Sequence, residues 1–394
     1  MKILILGNKN IFYVEGAYSN RLRSLIEGLA KRDVVVHVII TQGNWEPKEY
    51  IFHKNYNYPK NIVIHYLGYP YQIRVLKKLK YQDTIKRLLI KKQRSLQKQI
   101  KFDYGWINFG FAHDVYLESI SLFKSEGIKI IQEISEFPML FISKPEYKKY
   151  LDLICPQIDI MFLMTKDLLN FYKKLINRDT KLFHIPMTVD FNRFRNVKSH
   201  DNKNHIVSYV GLMNNKKDGV DLLIKAFILV VEEFPDARLQ LIGPKYPQKD
   251  YLEQLEIIEK SNLKNHVKYL GKISREKIPG LLINSDCLVL ARPDSKQAQY
   301  GFPTKLGEYL ATGNPVVVTS VGEIPYYLKD NFNAYVTDPD NVTNFAFKIL
   351  SVLRDKSGAK KIGAKGFETA NEHFNADKQS NKIMKILEYN LNIE

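Results

Sequence analysis

Apolar residues in this chain come in short unbroken runs separated by stretches of helical spacing. KILILG (2–7) is one such run, closed by a glycine. Residues 19–31 follow, with Leu22, Leu25, Ile26 and Leu29 at the spacing of one buried helix face. VVVHVII (34–40) is the next run. The second half repeats the cycle with IVSYVG (206–211), a helical pattern over 221–234 and ARLQLIG (237–243). Further strand-like runs are NIVIHYL, YGWINF, IKIIQEI, IDIMFLM, HVKYLG, CLVLAR and PVVVTS. Strand–helix–strand units of this length imply parallel sheets covered by helices. The pattern predicts an α/β protein of two doubly wound domains with a cleft between them. A linker is expected in IPMTVDFNRFRNVKSHDNKN (185–204), rich in Asn, Lys and Pro, and the last 25 residues read as helix.

Composition agrees with two folded domains: 394 residues, 45% hydrophobic and 26% charged. Two cysteines, Cys155 and Cys287, exclude a disulfide framework and a Cys-based zinc site. No apolar run approaches the roughly 18–20 residues that span a bilayer, and the four-residue run at the start is too short for a signal-peptide core. A soluble intracellular protein, free or held at a surface, is the expectation. Net charge is +17 but unevenly placed, with 33 Lys and Arg against 18 Asp and Glu in residues 1–200. The densest stretch is Arg74–Lys101, where eleven basic residues face one acid, Asp83, and interleave with Leu76, Leu79, Leu88, Leu89, Ile90 and Leu96. Such a basic amphipathic helix suits an anionic membrane surface, the alternative being a solvated helix face. There is no nucleic-acid recognition motif, so a nucleic-acid partner is not expected.

Parallel sheets bind ligands outside the carboxyl ends of their strands, so the loops there carry the chemistry. The first loop, GNKNIFYVEGAYSN, lacks the GxGxxG of dinucleotide sites, though Gly16 and Ala17 would let a ligand come close to the backbone. YGFPTKLGEYLATGNPVVV (300–318) is the most informative stretch. Thr304 can cap a helix over 305–311 that Gly313 ends. Free N–H groups at its start, the helix dipole and Lys305 suit a diphosphate. Glu308, one turn along the same face, suits the two hydroxyls of a ribose. A capped helix carrying a glutamate is the plain alternative.

The stretch resembles the donor-binding signature of the retaining GT-B glycosyltransferases of family 4 (glycosyl transferases group 1). Their usual pattern is Glu-Gly-Phe-Gly, four residues, then Glu-Ala-x-Ala-x-Gly-x-Pro-Val; here Tyr300, Gly301, Phe302 and Pro303 precede Glu308 by the same interval. Tyr300 replaces the first glutamate, and Pro303-Thr304-Lys305-Leu306 matches the Pro-Ser/Thr-Lys-Leu version of a subset. SYVGLMNNKKDGVDLLIKAF (208–227) is similar to the family's strand, Gly, basic residue, Gly, helix pattern, which puts Gly211 near the donor and Lys217, or its neighbour Lys216, on the phosphates. VKYLGKISREKIPGLLINSDCLVLARP (267–293) resembles the base-holding segment, with backbone contacts from Gly271 onward. IPMTVDFNRF (185–194) is similar to the interdomain Ile-Pro-Asn-Gly-Val-Asp-x-x-x-Phe hinge, with Met187 and Thr188 as departures.

The resemblance implies a GT-B fold of two Rossmann-like domains facing a central cleft. Residues 1–190 would form the basic acceptor domain, 200–370 the nucleotide-sugar domain, and 371–394 a helix packing back toward the first. It implies donor contacts from Gly211, Lys217, Gly271, Tyr300, Gly301, Phe302, Thr304, Lys305, Leu306 and Glu308, with backbone groups of Gly301 and Phe302 taking over the role of the missing glutamate. Lys217 and Lys305 would stabilise the leaving diphosphate without a metal or other cofactor. IIQEISEFP (130–138) aligns with a strand and loop where many members carry a His-Asp pair; here Ser135 and Glu136 stand in those places, and Glu133 and Glu136 become the candidates for base or orienting group. His113 is a lesser candidate. The expected activity is sugar transfer from a nucleotide diphosphate sugar to a glycan hydroxyl, with a lipid-linked acceptor at the cytoplasmic membrane face. An inactive nucleotide-binding or scaffold partner and a sugar-nucleotide epimerase of the same fold remain open.

Overall fold

The computed structural model describes residues 1–7, 9–14, 16–41, 52, 55–67, 81–108, 114–138, 142–176, 179–198 and 205–392. The chain divides into two compact units, residues 1–186 with 379–394, and residues 187–378. Among the described residues unit 1 holds seven strands: β1 (Lys2–Gly7), β2 (Val35–Ile40), β3 (Ile62–Tyr66), β4 (Tyr104–Asn108), β5 (Lys129–Ile134), β6 (Ile160–Leu163) and β7 (Lys181–His184). All pair in parallel, in the order β3-β2-β1-β4-β5-β6-β7. Unit 2 holds β8 (Ile206–Val210), β9 (Arg238–Ile242), β10 (Val267–Gly271), β11 (Cys287–Leu290), β12 (Val316–Thr319) and β13 (Tyr335–Thr337). These are also parallel, in the order β10-β9-β8-β11-β12-β13. Strand order reverses between β1 and β4 in one sheet and between β8 and β11 in the other, which are the switch points where open parallel sheets hold ligands.

Two strands escape the hydrophobic pattern, and both lie at a sheet edge. KLFH, in β7, is too short and mixed to stand out, and β13 is three residues long. An edge strand has a neighbour on one side only and needs less apolar surface than a central one. The helix Ala376–Leu391 lays Ile383 and Leu387 into the unit 1 core, and Tyr104 Oη donates to Leu387 O at 2.7 Å.

The helix Tyr81–Gln99 corrects part of the membrane reading. Residues 74–80, with Arg74, Lys77 and Lys78, lie outside the described residues. Within the helix, Leu89 is fully buried and Ile90 and Leu96 nearly so. These three side chains are therefore spent on the core of unit 1 and are not available to enter lipid, while Leu88 is half-buried and Leu76 and Leu79 lie outside the described residues. Arg87, Lys91, Arg94 and Lys98 remain exposed on the other side. What this face can offer an anionic surface is charge without insertion.

The buried polar centre of unit 1 is Arg21, on the helix Ala17–Ala30. Its Nε donates to Glu133 Oε1 at 2.7 Å, and its other nitrogens donate to Ile185 O and Pro186 O. Both side chains of the pair are almost wholly buried. Glu133, expected as a base or orienting group, is thus corrected to a construction element. Its carboxylate answers a buried guanidinium and is closed to solvent. Each unit carries one buried cysteine; burial pushes the Cys155 thiol up to about 11 and the Cys287 thiol higher still.

Removing one member of a buried pair strands the other. Arg21→Met or Glu133→Gln is expected to cost about 3–5 kcal/mol. The double variant Arg21→Met/Glu133→Leu should lose less than the two single losses added together, as read from urea unfolding midpoints.

Candidate functional site

The site in unit 2 begins where β8 stops. Tyr209, next to the strand's end, is buried, and its hydroxyl lies 2.9 Å from Asp218 Oδ2 and 2.7 Å from Leu212 O. Gly211 follows, with its N–H bonded to Ile242 O at 2.8 Å. A one-turn helix, Asn215–Asp218, comes next, capped by the Asn214 side chain, which accepts from Lys217 N at 2.7 Å. Gly219 ends the turn at φ 65°, and a Cβ there would lie 1.9 Å from Ala291 O. That close approach beside β11 turns Asp218 inward.

Lys305 arrives from the helix Thr304–Leu310. Its Nζ donates to Asp218 Oδ2 at 2.7 Å and to the Tyr209 hydroxyl at 3.0 Å, and lies 4.6 Å from the centre of the Tyr209 ring. A Cβ on Gly211 would fall 2.2 Å from Nζ, so glycine is what lets the ammonium lie against the backbone. Burial, the largest influence on Asp218, works to raise its pKa. Lys305, Arg292 and the Tyr209 hydroxyl outweigh it and hold the carboxyl below the usual range. Burial likewise pulls the Lys305 ammonium down, against Asp218, with the positive charges of Arg292 and Lys217 adding to the fall. Lys217 is half-buried and Lys216 exposed, so of the two it is Lys217 whose charge reaches the cluster. Arg292, just past β11, is 3% exposed. The cluster therefore lies at the carboxyl ends of β8 and β11, the switch point of this sheet.

Glu308 sits one turn beyond Thr304 on the same helix. Arg193, in the turn Phe191–Arg193, donates through one terminal nitrogen to Glu308 Oε1 and through the other to Arg275 O at 2.8 Å. Gly271 closes β10 at φ 70°, and its carbonyl accepts from Gly243 N at 2.8 Å. Gly243, after β9, in turn lies against Gly211 O, where a Cβ would come within 1.8 Å. Glycines thus line the carboxyl ends of three adjacent strands.

Several expected contacts take other roles. Thr304 is the first residue of its helix, Pro303 holds the cap position, and no side chain caps the start. The Gly301 N–H is bonded to Gln297 O at 3.1 Å, so it is not available to replace the missing glutamate. The Phe302 ring is buried against the rings of Tyr327 and Phe374 and the Leu306 side chain is fully buried, which leaves their backbone groups as what a donor would meet. Tyr300 ends the helix Lys296–Tyr300 and is partly exposed. Sequence reasoning missed Tyr209, Asp218, Arg292, Arg193 and Gly243. A glycine after each of β8, β9 and β10 was the available signal for the last.

In unit 1, Gly16 and Ala17 are exposed at the uncapped start of the helix Ala17–Ala30. Glu136 is exposed just past β5, and His113 lies outside the described residues. Among the described residues no three His, Cys, Asp or Glu side chains gather as a metal site, and no helix is long and apolar enough to cross a membrane.

Two parallel-sheet α/β units of this order make the GT-B architecture. Crystalline Anabaena Alr3699/HepE in complex with UDP superposes with a TM-score of 0.74 over 99% of this chain and 100% of that one, at 16% identity. Residues 190–369, a little under half of the chain, match the family model described as Glycosyl transferases group 1. The chain is similar to spore coat protein SA of Bacillus subtilis, 24% identical over 54% of this chain and 57% of that protein. It is also similar to N-acetyl-alpha-D-glucosaminyl L-malate synthase of Bacillus anthracis, 21% identical over 74% of this chain and 75% of the relative.

Lys305→Met tests the electrostatics of the cluster. Wild-type Asp218, with its depressed folded pKa, contributes stability above the unfolded carboxyl value of about 4, lost as pH falls through the lower folded value. Without Lys305, burial prevails and the folded pKa rises above that of the unfolded chain. The variant should then gain stability from pH 7 to pH 5, where the Asp218 contribution in wild type is flat, as followed by urea midpoints at each pH.

Proposed function

We propose that the chain is a retaining, metal-independent glycosyltransferase of family 4, moving a sugar from a UDP- or GDP-sugar to a hydroxyl of a glycan acceptor. The observation that carries this reading is the joining of Lys305, Asp218 and Tyr209 at the switch point, with Glu308 one turn along the same helix. A diphosphate against Lys305 and Lys217 would gain from a cluster whose cations are already fixed, and Glu308 would take the ribose. As the bond from the sugar's anomeric carbon to the diphosphate oxygen breaks, negative charge grows on the leaving group. Fixed cations stabilise it most at that moment. The acceptor oxygen bonds to the anomeric carbon on the same face, and Glu136 is the candidate to take its proton. The UDP bound by Alr3699/HepE supports a nucleoside diphosphate donor.

For the acceptor, a lipid-linked glycan in surface polysaccharide or lipopolysaccharide assembly suits the charge of the first half, with the protein at the cytoplasmic face of the membrane. Arg87, Lys91, Arg94 and Lys98 would meet anionic headgroups by charge alone.

Calorimetry with UDP, GDP and ADP tests the donor. One of the three should bind selectively, and Glu308→Ala should weaken it about 10–100-fold, the worth of hydrogen bonds to a carboxylate. Sugar turnover unchanged by a chelator, with the anomeric configuration retained by NMR, completes the test. Selective binding without turnover on any acceptor would favour a nucleotide-binding scaffold. Replacing Arg87, Lys91, Arg94 and Lys98 together by Gln should abolish co-sedimentation with anionic liposomes. Wild-type binding should fade as salt rises.

A further inference from the structure

The pairing of Arg193 with Glu308 has no counterpart in the motifs that suggest a donor site, and its construction is deliberate in physical terms. Asp190 caps the turn Phe191–Arg193 by accepting from Asn192 N at 3.1 Å. Phe191 packs edge-on against Phe367, with ring centres 5.3 Å apart. The guanidinium is 5.7 Å from the centre of the Phe194 ring, and its second nitrogen is tied to Arg275 O at 2.8 Å. The Arg193 side chain is 11% exposed and that of Glu308 23%. Arg193 is thus held on its own account, by a backbone carbonyl and a ring, before it touches the carboxylate.

A carboxylate offers about four acceptor positions on two oxygens. Arg193 takes one on Oε1, and among the described residues Glu308 accepts from no other group. The remaining positions suffice for two neighbouring hydroxyls. Glutamate has three rotatable side-chain bonds, and a hydrogen bond from a fixed donor removes most of that freedom before a ligand arrives. We propose that Arg193 is a positioning residue that locks Glu308 in the rotamer that reads the ribose diol, and so sets the preference for ribonucleotides over deoxyribonucleotides. The inference rests on the donor reading above and deepens it. Because Arg275 lies just beyond β10, the same guanidinium also joins the segment after that strand to the ribose carboxylate.

The test measures binding of the preferred nucleoside diphosphate and its 2′-deoxy analogue by calorimetry, to wild type, Arg193→Ala, Glu308→Ala and the double variant. Wild type should favour the ribonucleotide about tenfold or more, the worth of one hydrogen bond to a charged group. Arg193→Ala should weaken ribonucleotide binding about tenfold and the deoxy analogue, which keeps only the 3′-hydroxyl for Glu308, by less, and so lower the preference. In the Glu308→Ala background it should have no further effect. Arg193→Lys keeps a cation but cannot reach both oxygens, and should also lower the preference while melting close to wild type; it decides the matter if Arg193→Ala fails to fold. Equal losses from Arg193→Ala for both nucleotides, or the same loss with and without Glu308, would overturn the positioning role and leave the donor reading standing. No nucleotide binding by folded wild type would overturn the donor reading itself, and this inference with it.

Discussion

A lysine ammonium inside a folded chain has to be answered by an anion, and much of unit 2 is arranged so that Asp218 can answer Lys305. The requirement reaches outward through the backbone. Gly211 has no Cβ because Nζ occupies the space, and Gly219 has none because Ala291 O does. Tyr309, from the same helix as Lys305, accepts the Val210 N–H at 2.6 Å and pins that helix to the end of β8. One ion pair therefore fixes the strand end, the short turn after it and the helix that carries Glu308.

Unit 1 solves a similar problem for a different end. Arg21 binds a carboxylate and two backbone carbonyls at once, and so joins a helix, a central strand and the last residues before the chain leaves the unit. Glu133 and Glu308 are both glutamates paired with arginine, yet their uses differ with exposure. The first is sealed and can only hold structure. The second keeps partial access to solvent and spare acceptor positions.

Most of the architecture was legible because buried parallel strands leave unbroken apolar runs that short edge strands do not need; KLFH and the three residues of β13 show the limit. The helix with Lys305 and Glu308 was legible from its spacing. What Lys305 would bind was not, because Asp218 lies 87 positions away in sequence and is brought to it by the pairing of β8 with β11. Thr304 was misread as a cap since Pro303, with its fixed φ, serves as well before a first turn. Leu89 and Leu96 illustrate a different limit. An amphipathic pattern shows that a face will be buried without showing whether protein or lipid buries it. Arg21 and Arg193 carried no signal at all, since a buried arginine looks like a surface one until its partners are placed.

The two cysteines give the molecule a pair of native clocks. A thiol reacts as thiolate, and a site that is buried with a raised pKa is closed to alkylation until the structure around it opens. Cys155 belongs to unit 1 and Cys287 to unit 2. Alkylation rates at the two positions, separated by mass spectrometry of the peptides, report the opening of each unit on its own. A chain of two units need not unfold in one step, and the unmodified protein already carries the chemistry to reveal which half yields first.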